Sequence, residues 1–128
     1  RLATWEEVLD FLGRSEVAIV DTRSRDEYLG RLVRADRGGA IPGAVNVEWT
    51  RNLDASGCFQ SREALRSMYE PLGVLPDKTV VTYCQGGYRA AHSYLALRIL
   101  GYTDVRNYTG SWKEWGDRAD LPIVHPTA

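Results

Sequence analysis

The chain has 128 residues, 44% of them hydrophobic, which suits one globular domain spanning 1–128. Sixteen Lys and Arg against 17 Asp and Glu leave a formal net charge of −1, so no basic excess drives nucleic-acid or anionic-membrane binding, and anion recognition has to be local. No apolar run approaches the ~18 residues of a membrane span, residues 1–20 lack the blocks of a signal peptide, and two cysteines without a CxxC or paired Cys/His spacing argue against a disulfide framework or a zinc site. The expected location is the cytoplasm, with no cofactor and no metal. The chain opens on Arg1 rather than Met, and the expectation is a domain excised from a longer polypeptide.

Thr4 followed by Glu7 is a capping box at the front of TWEEVLDFL, and Gly13 is a stop, so a short opening helix is predicted. VAIV (17–20) is apolar on consecutive positions and ends at Asp21, the pattern of a strand buried on both faces of a parallel sheet, and TVVTY (79–83) repeats it. Ser24 with Glu27 forms a second capping box, giving a short helix over SRDEYLG and a local structural role for Glu27. RADRGGAIPGAVNV carries four Gly and Pro residues and reads as a surface connection into a short strand at about 44–47. Cys58, in the turn SGCFQ, reads as a semi-buried filler without a role.

SREALRSMYEPLG (61–73) has helical composition and is stopped by Pro71 and Gly73. In the next helix Ala91, Tyr94, Leu95 and Ile99 fall at offsets 0, 3, 4 and 8, which predicts one apolar face, with Gly101 as terminator. DVRNY (104–108) reads as a strand and GSWKEWGDR as a final helical turn. Strands alternating with helices predict parallel βα units and an α/β domain.

The chemistry concentrates in TVVTYCQGGYRAAHSYLALRIL, where a buried strand leads through Cys84 and a Gly-rich turn into a helix beginning near Tyr88 or Arg89. The thiol should sit at the C-terminal end of a strand, the edge of an open α/β sheet where ligands bind. Gly86 and Gly87 let the backbone curl with its N–H groups inward, and the helix N-terminus and Arg89 add positive charge. Such a cradle binds anions and favours the thiolate form of Cys84.

At this point the sequence resembles a family, the rhodanese-like sulfurtransferases. IVDTRSRDEYLG resembles its D-x-R-x-x-x-E-F/Y segment, GAIPGAVNVEW its G-H-I-P-G-A-x-N-V/I segment, and VVTYCQGGYRA its C-x-x-G-x-R/S/T active-site loop, in the same order and spacing. NYTGSWKEWGDRADLPIV, and NVEW with Trp49, are similar to the C-terminal catalytic domain of tandem-domain thiosulfate/3-mercaptopyruvate sulfurtransferases. The resemblance implies a mostly parallel central sheet flanked by helices on both faces. It implies that Cys84 carries sulfane sulfur as a persulfide, from thiosulfate or 3-mercaptopyruvate to cyanide or a thiol. Gln85, Gly86, Gly87, Tyr88 and Arg89 would bind substrate, and a second rhodanese-like domain of the same chain is the expected partner. Two departures stand out: Ala40 replaces the family's His, which predicts a less rigid loop, and Glu27 stands where tandem members often carry Arg, which removes a usual anion contact.

Other residues carry weaker expectations. Asp21 and Arg23 at the end of the first strand are candidate substrate contacts, although a structural ion pair is the favoured reading. Trp49 either walls the pocket or packs in the core. His92 reads as solvent-exposed rather than as a general base, and Trp112 and Trp115 as a small apolar patch, packed on the C-terminal turn or facing a further domain. The rival functions are a Cys-dependent phosphatase, whose loop has five residues between Cys and Arg against four here, and a sulfur-relay or regulatory module acting on a protein partner.

Overall fold

The computed structural model describes residues 1–127. Five strands form one sheet in the order β1-β5-β4-β2-β3: β1 (Leu2–Ala3), β2 (Val17–Asp21), β3 (Val45–Asn46), β4 (Thr79–Tyr83) and β5 (Val105–Tyr108). Every pairing is parallel. The β-branched runs VAIV and TVVTY become the adjacent central strands because both of their faces can be covered with apolar groups. Their register aligns Val17 with Thr79 and Asp21 with Tyr83, so both strands end together and Thr22 and Cys84 leave from the same sheet edge.

Helices lie against both faces: α1 (Trp5–Phe11), α2 (Arg25–Tyr28), α3 (Arg62–Tyr69), α4 (Tyr88–Ile99) and α5 (Ser111–Asp117). Both predicted capping boxes form, with the Thr4 and Ser24 hydroxyls accepting from the Glu7 and Glu27 amides and the two glutamates reaching back. Helix α3 gives way to a 3-10 turn, Glu70–Leu72, which ends at Gly73 in the left-handed region. One core gathers Val8, Ile19, Val81, Tyr83, Trp112 and Trp115; the other gathers Val20, Val80, Leu65, Tyr69 and Leu97. Consecutive strand residues thus alternate between two cores, as the period of two requires.

Several expectations are corrected. Helix α4 buries Ala90, Ser93, Ala96 and Leu97, while Leu95 and Ile99 remain 50% and 41% exposed. Small side chains let the helix backbone approach the sheet closely, and the larger apolar groups are left outside. Trp112 and Trp115 do not face a further domain but follow the other reading, packed as core residues at 1% and 0% exposure against Leu121 and Ile123 of the C-terminal turn. The connection before β3 is not wholly superficial either, since Ala40 and Ile41 are fully buried. Ala40 bridges Val124 through two 2.9 Å backbone hydrogen bonds, and the Ile41 N–H donates to the Tyr83 hydroxyl at 3.2 Å. These contacts pin the loop at the place where Ala40 was expected to loosen it.

Candidate active site

Cys84 follows β4 directly and is 1% exposed. Its Sγ accepts the Gly87 N–H at 2.9 Å, so the curl foreseen at the glycines aims a backbone donor at the sulfur. Gly87 has φ +94°, and a Cβ there would stand 3.0 Å from the Thr109 carbonyl oxygen, so backbone conformation and packing both demand glycine. Gly86 has neither constraint, with nothing nearer to such a Cβ than the Tyr88 ring at 3.9 Å. Helix α4 begins at Tyr88, which directs its N-terminal amides toward the loop.

The loop is clamped from beneath by α5 and β5. The Trp112 and Lys113 amides donate to the Cys84 and Gln85 carbonyls at 2.8 and 3.0 Å. Ser111 Oγ accepts the Cys84 N–H at 3.1 Å and donates to the Tyr108 carbonyl at 2.8 Å. Ser111 holds φ +55°, a conformation unusual outside glycine, in order to do so. Asn107 donates to the Gly87 carbonyl at 3.2 Å. Ser111 and Asn107 are not among the residues the sequence singles out; the Gly110–Ser111 pair at the start of the last helix is the available signal for the first.

Glu27 and Arg89 meet beside the loop. Arg89 Nη1 and Nη2 donate to the two carboxylate oxygens at 2.8 and 3.1 Å, and the side chains are 26% and 3% exposed respectively. Burial pushes the Glu27 carboxyl up, but the hydrogen bonds and charge of Arg89, with those of Ser24, outweigh it and hold the group below its ordinary range. Arg89 is raised in turn, first by its hydrogen bond to Glu27 and to a lesser degree by Cys84.

An open cleft of about 240 Å³ is lined by Trp49, Tyr88, Arg89 and His92. Trp49 is therefore a wall of the cleft. His92 is not the solvent-facing residue expected: its ring packs against Trp49 and Phe59 at centroid distances of 5.1 and 4.8 Å, and burial lowers its pKa. Tyr88 is 89% exposed at the cleft, and the Gln85 side chain turns away to donate to the Arg34 carbonyl at 2.9 Å.

Asp21 and Arg23 lie on the predicted edge and are sealed from solvent at 0% and 1% exposure, paired with each other as the favoured reading of a structural ion pair has it. Arg23 Nη2 donates to Asp21 Oδ2 at 2.7 Å and to the Gly39 carbonyl at 2.6 Å, with its guanidinium 4.7 Å from the Trp112 ring centroid. Tyr83 adds a 2.7 Å hydrogen bond to Asp21. Cys58 is exposed rather than semi-buried. Among the described residues no group of three or more His, Cys, Asp or Glu is placed to hold a metal ion. No helix among them is long and apolar enough to cross a membrane.

Comparison with known proteins agrees with this geometry. The chain is 45% identical over 121 residues to a thiosulfate sulfurtransferase of Azotobacter vinelandii, covering 94% of this chain and 45% of the relative. It is 45% identical over 116 residues to the sulfur carrier protein TtuD of Thermus thermophilus, covering 84% of this chain and 41% of the relative. The chain thus spans less than half the length of these curated relatives. An anaerobic ergothioneine biosynthesis enzyme from Chlorobium limicola superposes with a TM-score of 0.91 over 99% of this chain and 32% of its own, at 21% identity, a likeness of fold. The model of the rhodanese-like domain matches residues 4–118, and the chain belongs to that family.

Proposed function

We propose that this domain is a sulfurtransferase that moves one sulfur atom, the sulfane sulfur of thiosulfate or the thiol sulfur of 3-mercaptopyruvate, to cyanide or a thiol through a persulfide on Cys84. The observation that carries the reading is the Gly87 N–H directed at Cys84 Sγ at the head of α4. The Cys84 thiolate attacks the outer sulfur of thiosulfate or the thiol sulfur of 3-mercaptopyruvate. The bond between that sulfur and the rest of the donor breaks, and sulfite leaves with the electron pair, or pyruvate once its carbon has taken the thiol proton. The persulfide carries its charge on the terminal sulfur, where the loop amides can face it. Cyanide then attacks that sulfur, thiocyanate departs, and the thiolate returns. Splitting the transfer into two displacements is the advantage of the covalent intermediate.

Gly86, Gly87 and the Tyr88 amide are assigned to the cradle, Arg89 and Trp49 to the cleft, and Gln85 to holding the loop on Arg34. Asp21 and Arg23 are assigned to bracing. The relatives are more than twice as long as the matched segment, which supports reading this domain as one unit of a longer protein. A second reading, favoured by the name of the Thermus thermophilus relative, hands the same persulfide to a protein acceptor. Thiocyanate production from thiosulfate and cyanide tests the main reading. Activity should vanish in Cys84→Ser with the fold retained, and activity surviving in that variant would refute the assignment.

A further inference from the structure

We propose that Glu27 sets the donor charge that this site accepts: by matching the charge of Arg89 at the cleft, it disfavours doubly charged sulfane-sulfur donors relative to singly charged ones. The inference rests on the sulfur-transfer reading above and adds a positioning residue to it. Arg89 is the one formally charged side chain among the four that line the cleft. Both of its contacting nitrogens are spent on Glu27, at 2.8 and 3.1 Å. The carboxylate cannot swing away, because it is 3% exposed and also accepts from the Ser24 amide and hydroxyl at 3.3 and 3.0 Å.

Nearby cations do not replace the lost charge. Arg23 is buried on Asp21, Arg31 pairs with Asp26, and Lys113 pairs with Asp117. Arg25, Arg34 and Arg51 are exposed, where salt screens them. His92 has its pKa lowered by burial and adds no charge near neutrality. A donor entering by this cleft therefore meets a neutralised arginine and the aromatic walls of Trp49 and Tyr88. A second negative charge on the donor meets no net positive charge there.

Thiosulfate and methanethiosulfonate isolate this effect, since a methyl group in the second replaces one charged oxygen of the first. With either, Cys84 sulfur bonds to the outer donor sulfur, the donor S–S bond breaks, and sulfite or methanesulfinate leaves with the electron pair. One unit of charge about 6–8 Å from a carboxylate corresponds to about tenfold in binding at an effective dielectric of ~30–40.

The test is steady-state sulfur transfer to cyanide with each donor. Glu27→Gln should lower KM for thiosulfate about tenfold more than it lowers KM for methanethiosulfonate, with kcat for the two donors changed alike. Gln can still cap α2. Adding Arg89→Gln to Glu27→Gln should restore the wild-type preference between donors. In the wild-type protein, where folding is not in question, added KCl should lower KM for thiosulfate more than for methanethiosulfonate. Equal shifts for the two donors in Glu27→Gln, or a thiosulfate KM that rises with salt, would overturn the inference and leave sulfur transfer standing. Absence of turnover with both donors in wild type would instead refute the sulfur-transfer reading itself.

Discussion

Two arginine–carboxylate pairs stand at the same sheet edge and do different work. Asp21–Arg23 is closed off at 0% and 1% exposure and tied into Tyr83, Gly39 and Trp112. Glu27–Arg89 has a carboxylate equally buried, yet its guanidinium is 26% exposed and lines the cleft. Both acids and one arginine come from a stretch of seven residues, Asp21 to Glu27. What separates scaffold from site is whether one partner keeps a face toward solvent. A sealed pair resists loss of either member because the survivor is left charged in a low-dielectric core. The open pair can lose its carboxylate and leave an arginine that water or an anion can reach.

The largest expected effect breaks the sealed pair. Asp21→Asn should cost about 3–5 kcal/mol in chemical denaturation, because Arg23 stays charged with no route to water. A loss under about 1 kcal/mol would erase the distinction. The loop glycines repeat the contrast on a smaller scale. Gly87→Ala forces a methyl toward Thr109 at φ +94° and should cost about 1–3 kcal/mol along with the hydrogen bond to Cys84.

Glu27→Gln should cost about 1 kcal/mol, since Arg89 can turn into the cleft. It also carries a pH signature. The folded carboxyl sits below its ordinary value of 4.5, so its contribution is complete above that pH and is lost as the pH falls through the folded value. The stability gap between wild type and Glu27→Gln should therefore narrow below pH 4.5, and a gap constant through acid titration would contradict the assignment. Gly86→Ala, whose methyl would meet only the Tyr88 ring at ordinary contact distance, should change stability by no more than about 0.5 kcal/mol, which thermal unfolding can check.

Much of this edge was legible in the sequence. The two capping boxes, the paired buried strands and the Cys-Gly-Gly-Arg loop depend on neighbours in the chain, and all of them form. Contacts between distant segments were not legible. Glu27 and Arg89 lie 62 positions apart, and a capping role was already enough to explain the glutamate. Ser111 reaches Cys84 across 27 positions by way of a left-handed backbone that no periodicity announces. The face of α4 was misjudged for a different reason. Periodicity finds the larger apolar residues Leu95 and Ile99, whereas packing on a sheet selects small ones such as Ala90 and Ser93. His92 followed the same error, because rotating the helix brings its ring between Trp49 and Phe59.

The central claim is that Cys84 carries the transferred sulfur, and intact-mass analysis after brief exposure to thiosulfate, and separately to 3-mercaptopyruvate, tests it most directly. The account predicts a gain of one sulfur, mapped by peptide analysis to Cys84, retained in Cys58→Ser, absent in Cys84→Ser and discharged by cyanide as thiocyanate. A sulfur found on exposed Cys58 instead, or none on Cys84 with either donor, would contradict it.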